Sequence, residues 1–188
     1  MMGSKAEFST VSRQKFREFF QPSRILLAVI PAPTPSGVNV ITICFDMYCS
    51  YKPVMMAIAI QNVAVSFKLI QEAHEFVLAV PGESLANETL FCGVTSVSEI
   101  DKVQKLHLEL SPSEKVSVPG LSRAIANIEM VKETSLKTGD HILVAGRVAR
   151  FGVNLRSREL PLLSVGPNTK GFRVLARKGI HRVGVVEG

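Results

Sequence analysis

Between Gly37 and Pro53 the chain runs through seventeen residues in which only Asp46 and Lys52 carry charge. Small polar groups are spaced through the stretch at Asn39, Thr42, Cys44, Asp46, Tyr48, Cys49 and Ser50, and the apolar run Val54–Ile60 follows. A segment this poor in charge and rich in Val and Ile has to be a sheet strand with neighbours. An apolar strand with hydroxyls and one amide placed along it suits the wall of a pocket better than a packed core face. The remaining sequence is read as the sheet behind that wall.

At 188 residues and 20.5 kDa the chain has the length of one domain with a full core. No stretch reaches the ~18 uninterrupted apolar residues of a membrane span. The first twenty residues lack the apolar centre and small-residue cleavage site of a secretory signal. Three cysteines, an odd number, do not make a disulfide framework, so a reducing cytoplasm is expected. The net charge of +6 is spread out, with modest clusters at Arg147–Arg158 and Arg173–Arg182. Nucleic-acid binders show a denser basic stripe interleaved with aromatics. Here Trp is absent and Tyr occurs twice, so a phosphorylated small molecule accounts for the basic excess better.

Residues 12–20 have the spacing of a short amphipathic helix with Phe16, Phe19 and Phe20 on one face, broken at Pro22–Ser23. Ile25–Ile30 reads as a strand, Pro31–Gly37 as a turn whose prolines forbid helix, and Val38–Phe45 as the return strand. Tyr51–Pro53 forms a turn into a third strand, Val54–Ile60, whose composition implies burial on both faces. Ala64–Ala73 has helical spacing with Ser66 in the first turn, and His74–Val80 is a fourth strand. A polar helix over Ser84–Cys92 precedes helix-forming residues 95–106 and a polar loop, Leu108–Gly120. Alternation returns in Ala124–Val131 and His141–Phe151, separated by a turn in which Gly139-Asp140 is the hairpin signal. Pro161–Gly171 reads as a turn-rich connector, Phe172–Ala176 as a short strand, and the rest as a basic tail.

The strands lack βαβ alternation, and no Gly-x-Gly-x-x-Gly follows a strand, which favours an antiparallel barrel over a doubly wound sheet and argues against a Rossmann nucleotide site. The expected class is mainly β with short helices, arranged as an antiparallel barrel. Cys44, Cys49, Cys92 and the four histidines show no Cys-x-x-Cys or His-x-x-x-His spacing, so no metal site is expected. There is no Gly-x-Ser-x-Gly, which argues against a serine hydrolase.

Four stretches, in this order, resemble the flavin reductase-like family with the FMN-binding split barrel, its flavoredoxin-type branch above all. They are Asn39-Val40-Ile41-Thr42 with Ser50-Tyr51-Lys52-Pro53 and the strand Val54–Ile60; Ser66 with Glu75-Phe76-Val77; Cys92-Gly93, Thr95-Ser96 and Asp101-Lys102; and Gly139-Asp140-His141 with Gly146-Arg147-Val148. Where family members often carry an aromatic and Gly-Pro after the Asn-x-x-Thr strand, this chain has Phe45-Asp46-Met47-Tyr48. The resemblance implies an antiparallel split β-barrel of Greek-key type over residues 22–188, preceded by a helical arm at 1–21. It also implies FMN as cofactor, NADH or NADPH as hydride donor, and free flavin or a redox partner protein as acceptor. A homodimer with the flavin near the subunit interface follows as well, with no nucleic-acid or membrane partner.

The resemblance makes Thr42, Ile43, Cys44 and Ser50 ring-edge contacts, with Asn39 orienting the loop. Thr42 and Cys44 also suit an ordinary strand. Gln61 and Asn62 can meet the pyrimidine or ribityl groups, or form a polar turn. Ser66 stands where a helix start offers free N–H groups to a phosphate, a position that also suits plain capping. Lys68 and Lys102 are candidate phosphate cations, or members of a solvated helix face, and Ser96 completes the cofactor set. His141 is the candidate catalytic residue, as proton donor or polar contact to the pyridine nucleotide; a surface turn histidine is the alternative. His181-Arg182 in the tail is a candidate for a neighbouring subunit's site, with a solvated basic run as the alternative. A non-enzymatic FMN-binding electron carrier or sensor remains the alternative function.

Overall fold

The computed structural model describes residues 9–168, 171–178 and 182–187; His181 lies outside the described residues. The N-terminal arm carries α1 (Arg13–Glu18), started where the Lys15 N–H donates to Ser12 Oγ at 3.2 Å. A two-residue strand β1 (Ser23–Arg24) leads into β2 (Leu26–Pro31), which turns back through Gly37 into β3 (Val38–Ile43) with Leu26 opposite Ile43. Gly37 takes a φ of +75°, a backbone state that L side chains resist.

The wall stretch then divides. Residues beyond Phe45 do not continue β3; Asp46–Tyr51 forms β4, which pairs with β5 (Val54–Gln61) as a hairpin. The sequence pattern predicts no separate strand at this point. An Asp, a Ser and two Tyr among its six residues hide an edge strand whose outer side has no partner strand within the sheet. α2 (Val65–Glu72), β6 (Glu75–Val80), a 3₁₀ turn (Glu83–Leu85) and α3 (Ala86–Val94) follow. The expected helix across 95–106 shrinks to the single turn α4 (Lys102–Lys105), since the polar Ser and Thr before it favour turns over helix.

The loop region 108–120 contains one short pairing, β7 (Leu110–Ser111) with β8 (Gly120–Leu121). β9 (Ala126–Thr138) and β10 (His141–Val153) make a long hairpin around Gly139-Asp140, with Gly139 at φ +50°. At Gly146 an added Cβ would sit 2.8 Å from the Val131 carbonyl oxygen, so the two strands close only over a glycine. The connector expected over Pro161–Gly171 is instead strand β11 (Leu162–Asn168), and the basic tail holds β12 (Gly171–Lys178) and β13 (Arg182–Glu187). Backbone pairing overrides the Gly and Pro signals there.

The strands form an antiparallel seven-stranded sheet in the order β3-β2-β6-β9-β10-β5-β4 and a second sheet β1-β11-β12-β13. In β2 and β6 successive side chains enter different cores: Leu26, Ala28 and Ile30 one, Leu27 and Val29 the other. That explains continuous apolar runs where a one-sided sheet would alternate. β5 is buried on both faces over Met56–Ile58 and again at Ile60, as its composition implies, while Val54 at its start is exposed. The sheet curls until the Ala59 N–H of β5 donates to the Phe45 carbonyl at 2.9 Å, just past the end of β3. The architecture is a mainly β antiparallel split barrel, and a cavity opens along the β3–β5 seam.

Candidate functional site

The cavity has a volume of 850 Å³ and is lined from five directions. Ile41–Ile43 of β3 run on into Cys44 and Phe45; Ala59–Gln61 end β5; Val63–Ser66 open α2; Cys92–Val97 close α3; Phe16, Phe20 and Gln21 come from the arm. Lys102 and His141 complete the lining, and no Asp or Glu appears among the described lining residues. Its volume lies toward the upper end of the ~300–1,000 Å³ typical of small-molecule sites, and its wall is largely apolar with few polar points, which makes it the candidate site.

The polar points are held by specific bonds. Asn39 is 1 % exposed, and its Nδ2 donates to Ser66 Oγ at 2.9 Å. Its Oδ1 is buried with no hydrogen-bond partner among the described residues. Ser66 therefore does not cap α2: Ala64 occupies the cap position and offers no side-chain bond, and the Ser66 hydroxyl is tied across to β3 instead. The first turn of α2 keeps its N–H groups beside the cavity without a side-chain cap. The opposite end of that helix is closed, because Lys132 Nζ donates to the carbonyls of Ile70 and Gln71 at 3.1 and 2.5 Å.

Lys102 is 2 % exposed, not part of a solvated face. Its Nζ donates to Val40 O at 2.9 Å and to Cys92 O at 3.2 Å, joining β3 to the last turn of α3. Burial lowers the Lys102 pKa, with the Cys92 thiol pulling back the other way, and burial pushes the Cys92 thiol up to about 12. Lys102 thus brings a buried ammonium to a cavity with no carboxylate among its described lining residues, which favours an anionic group there. Its backbone is fixed one residue earlier: Asp101 caps α4 by accepting from the Val103 and Gln104 N–H groups, and it also accepts from the Ser36 N–H and hydroxyl.

Asn39 and Val40 are neighbours, so Ser66 and Lys102 are anchored at one end of β3. The other end carries Phe45, roughly 17 Å away along extended chain. Here the Phe45 ring lies 5.4 Å from the imidazole of His141, which faces Gln61 across the β10–β5 ladder. His141 Nδ1 is 2.6 Å from Asp140 Oδ1. A carboxylate only accepts, so Nδ1 carries the proton and Nε2 is left as the other site for exchange.

Of the residues singled out from the sequence, Thr42, Ile43, Cys44, Gln61, Ser66, Ser96, Lys102 and His141 line this one cavity. Four do not. Asn39 stands behind Ser66. Asn62 Nδ2 donates to Gly139 O at 3.4 Å, tying the end of β5 to the β9–β10 turn. Ser50 sits on β4 opposite Met55, away from the cavity, and Lys68 is exposed on α2. Ser50 stands outside the lining because the chain leaves the wall at Asp46, and Lys68 because it sits two residues past Ser66, turned about 200° around the helix. Thr42 lines the cavity, but its hydroxyl proton is already donated to Thr89 O at 2.6 Å. Missed altogether were Phe16 and Phe20: their shared apolar face was legible, its destination was not.

The flavin reductase like domain family matches residues 26–170 of this sequence. The chain belongs to the flavin reductase-like family. An uncharacterised protein of Archaeoglobus fulgidus is 34 % identical over 131 residues, 70 % of this chain and 72 % of its own. The FMN-binding protein of Thermus thermophilus superposes with a TM-score of 0.69 at 19 % identity, covering 98 % of this chain and 96 % of its own. An NADH:FAD oxidoreductase of Streptomyces globisporus gives 0.71 at 16 % identity over 85 % and 92 % of the two chains. At these identities the two structures share the fold with this family member.

Proposed function

We propose that this protein is an FMN-dependent oxidoreductase that takes a hydride from NADH or NADPH and passes electrons to free flavin or a partner protein. The observation that carries the reading is the cavity with no carboxylate among its described lining residues, with Ser66, the start of α2 and Lys102 at one end and the Phe45–His141 pair at the other. FMN is an anion at one end and a flat ring at the other. The cavity offers N–H groups and a buried ammonium to the first and an apolar wall to the second. The buried Asn39 Oδ1, which has no partner among the described residues, fits a site completed by a ligand or ordered water. The Streptomyces globisporus protein of this fold is an NADH:FAD oxidoreductase and the Thermus thermophilus one binds FMN; both support the assignment.

Bound FMN supplies the redox chemistry. The chain's own part is to hold and orient. Asn39 keeps the Ser66 hydroxyl aimed across the helix start, Asp101 sets the turn that delivers Lys102, and Thr42 locks β3 to α3. Ile41, Ile43 and Ala59 exclude water from the ring's surroundings. His141, oriented by Asp140, presents Nε2 as a proton site or a polar contact to the nicotinamide. Residues 1–21 serve as an arm on a flavin domain running from 22 to 188. The protein works as a cytoplasmic homodimer; the apolar side chains left exposed on β4 and β5, Met47, Tyr48, Tyr51 and Val54, form a patch suited to a second copy. Among the described residues no helix is long and apolar enough to cross a membrane.

The test is anaerobic titration of the FMN-loaded protein with NADH and, separately, NADPH, followed in the visible spectrum. Full bleaching at one equivalent of either nucleotide supports the reductase. A flavin that binds but is bleached by dithionite alone makes the protein an electron carrier or sensor instead.

A further inference from the structure

The turn between β2 and β3 supplies no residue to the cavity lining, yet it grips the residue that delivers Lys102. Ser36 donates twice to Asp101 across 65 positions of sequence, from its N–H to Oδ2 at 2.9 Å and from its hydroxyl to Oδ1 at 3.0 Å. That hydroxyl has one proton and three oxygens within reach, the others being Val38 O and Thr34 Oγ1, each at 3.1 Å. An ionised carboxylate is the strongest acceptor of the three, so the proton goes to Asp101. Thr34 satisfies Val38 O from its own hydroxyl at 3.0 Å. The turn itself is stiff. Pro31, Pro33 and Pro35 fix its backbone, and the Ala32 N–H to Gly37 O and Gly37 N–H to Thr34 O bonds close it.

The other side of the contact cannot hold itself. α4 is a single turn of four residues, too short to be stable on its own bonds, so its place is set by what grips its cap. Lys102 follows that cap directly, and its Nζ donates to Val40 O and Cys92 O. The Asp101-Lys102 pair is therefore fastened at both residues to one stretch of chain, Asp101 at Ser36 and Lys102 at Val40. An ammonium has three donors, and two are spent on these carbonyls. The third is left for the cavity that Lys102 lines. Its direction depends on where the cap of α4 is held.

We propose that Ser36 is a positioning residue for the anion end of the cavity: acting through Asp101, it fixes the Lys102 ammonium at the wall and so sets the preference for a phosphorylated ligand over its uncharged counterpart. The identity of that ligand rests on the flavin reading; the placement of Lys102 does not.

The test uses Ser36→Asp, Ser36→Ala and Ser36→Thr in the full chain, with two readouts. FMN and riboflavin are titrated by fluorescence, and a pulse of acetic anhydride, given before any flavin is added, reads the acetylation of Lys102 against that of the exposed Lys68 by peptide mass spectrometry. Ser36→Asp sets a second carboxylate against Asp101, so it should weaken FMN about tenfold, leave riboflavin within about twofold, and raise relative Lys102 acetylation about tenfold. Ser36→Ala keeps the N–H and should show the same changes at about threefold, which carries the test if Ser36→Asp does not fold. Ser36→Thr restores the hydroxyl and should match wild type. In a Lys102→Met background Ser36→Asp should no longer alter the FMN-to-riboflavin ratio, because the two residues act through one contact. Unchanged flavin preference and unchanged acetylation in the Ser36 variants overturn the proposal. So does an equal loss of FMN and riboflavin that tracks a fall in urea stability, which makes Ser36 a structural residue only. If wild type takes neither flavin but Lys102 acetylation still rises in the variants, the flavin reading fails and the positioning role stands.

Discussion

At the scale of single residues, Thr42 and His141 separate building from chemistry. The Thr42 hydroxyl donates to Thr89 O across the β3–α3 seam, so Thr42→Val removes a hydrogen bond worth about 0.5–1.5 kcal/mol. Urea denaturation should read that loss, while FMN affinity stays within about threefold; a large loss of FMN with unchanged stability would make Thr42 a cofactor contact. His141 is the reverse case. It is ringed by Phe45 and Asp140 rather than by core, so His141→Asn should leave stability and FMN affinity near wild type. Stopped-flow reduction by the nicotinamide should slow about tenfold or more, toward the ~10²–10⁴ range of positioned acid–base groups. An unchanged reduction rate confines His141 to the surface turn.

At the scale of elements, the capping of α4 governs where the buried lysine points. Desolvation pushes the Asp101 carboxyl up, but the N–H groups of Ser36, Gln104 and Val103 and the Ser36 hydroxyl outweigh it and hold its pKa below the usual value. A carboxyl with a depressed folded pKa contributes stability that is present above its unfolded value of 3.8 and is lost as pH falls through the folded pKa. Asp101→Asn keeps an oxygen to cap α4 but turns the oxygen that accepts from the Ser36 N–H into a donor, so it should destabilise at pH 7 by about 1–3 kcal/mol, the cost of an unsatisfied polar group. The gap to wild type should narrow as pH falls below 3.8 in matched denaturation curves; a gap independent of pH would show that the charge is not what matters. Elements differ in how far the sequence disclosed them. β2, β3 and the β9–β10 hairpin were legible because apolar runs end at Gly37 and Gly139-Asp140, where local chemistry and tertiary pairing agree. β4 and β11 were not, because edge pairing and a partner strand, not composition, make Asp46–Tyr51 and Leu162–Asn168 extended. The site divides the same way. Ser66 and Lys102 could be named from a helix start and an Asp-Lys pair, whereas the Asn39–Ser66 bond, 27 residues apart in sequence, exists only in the folded chain.

For the whole molecule, the proposed cofactor and the proposed second copy each have a measurable consequence. A ligand that binds only the folded state at about 100 times its dissociation constant adds about 2.7 kcal/mol, so saturating FMN should raise the melting temperature by several degrees. Sedimentation should return twice the 20.5 kDa chain mass, and a charge such as Tyr48→Glu on the exposed β4 patch should shift that mass toward the monomer. A monomer in the wild type would leave the patch without its assigned partner. The most direct measurement of the central claim compares FMN with riboflavin, its counterpart without phosphate, by fluorescence titration of the purified protein. The account predicts one FMN per chain and riboflavin at least tenfold weaker, with that difference lost when Lys102 is replaced by Met. Equal affinity for the two, or no binding of either, would contradict it.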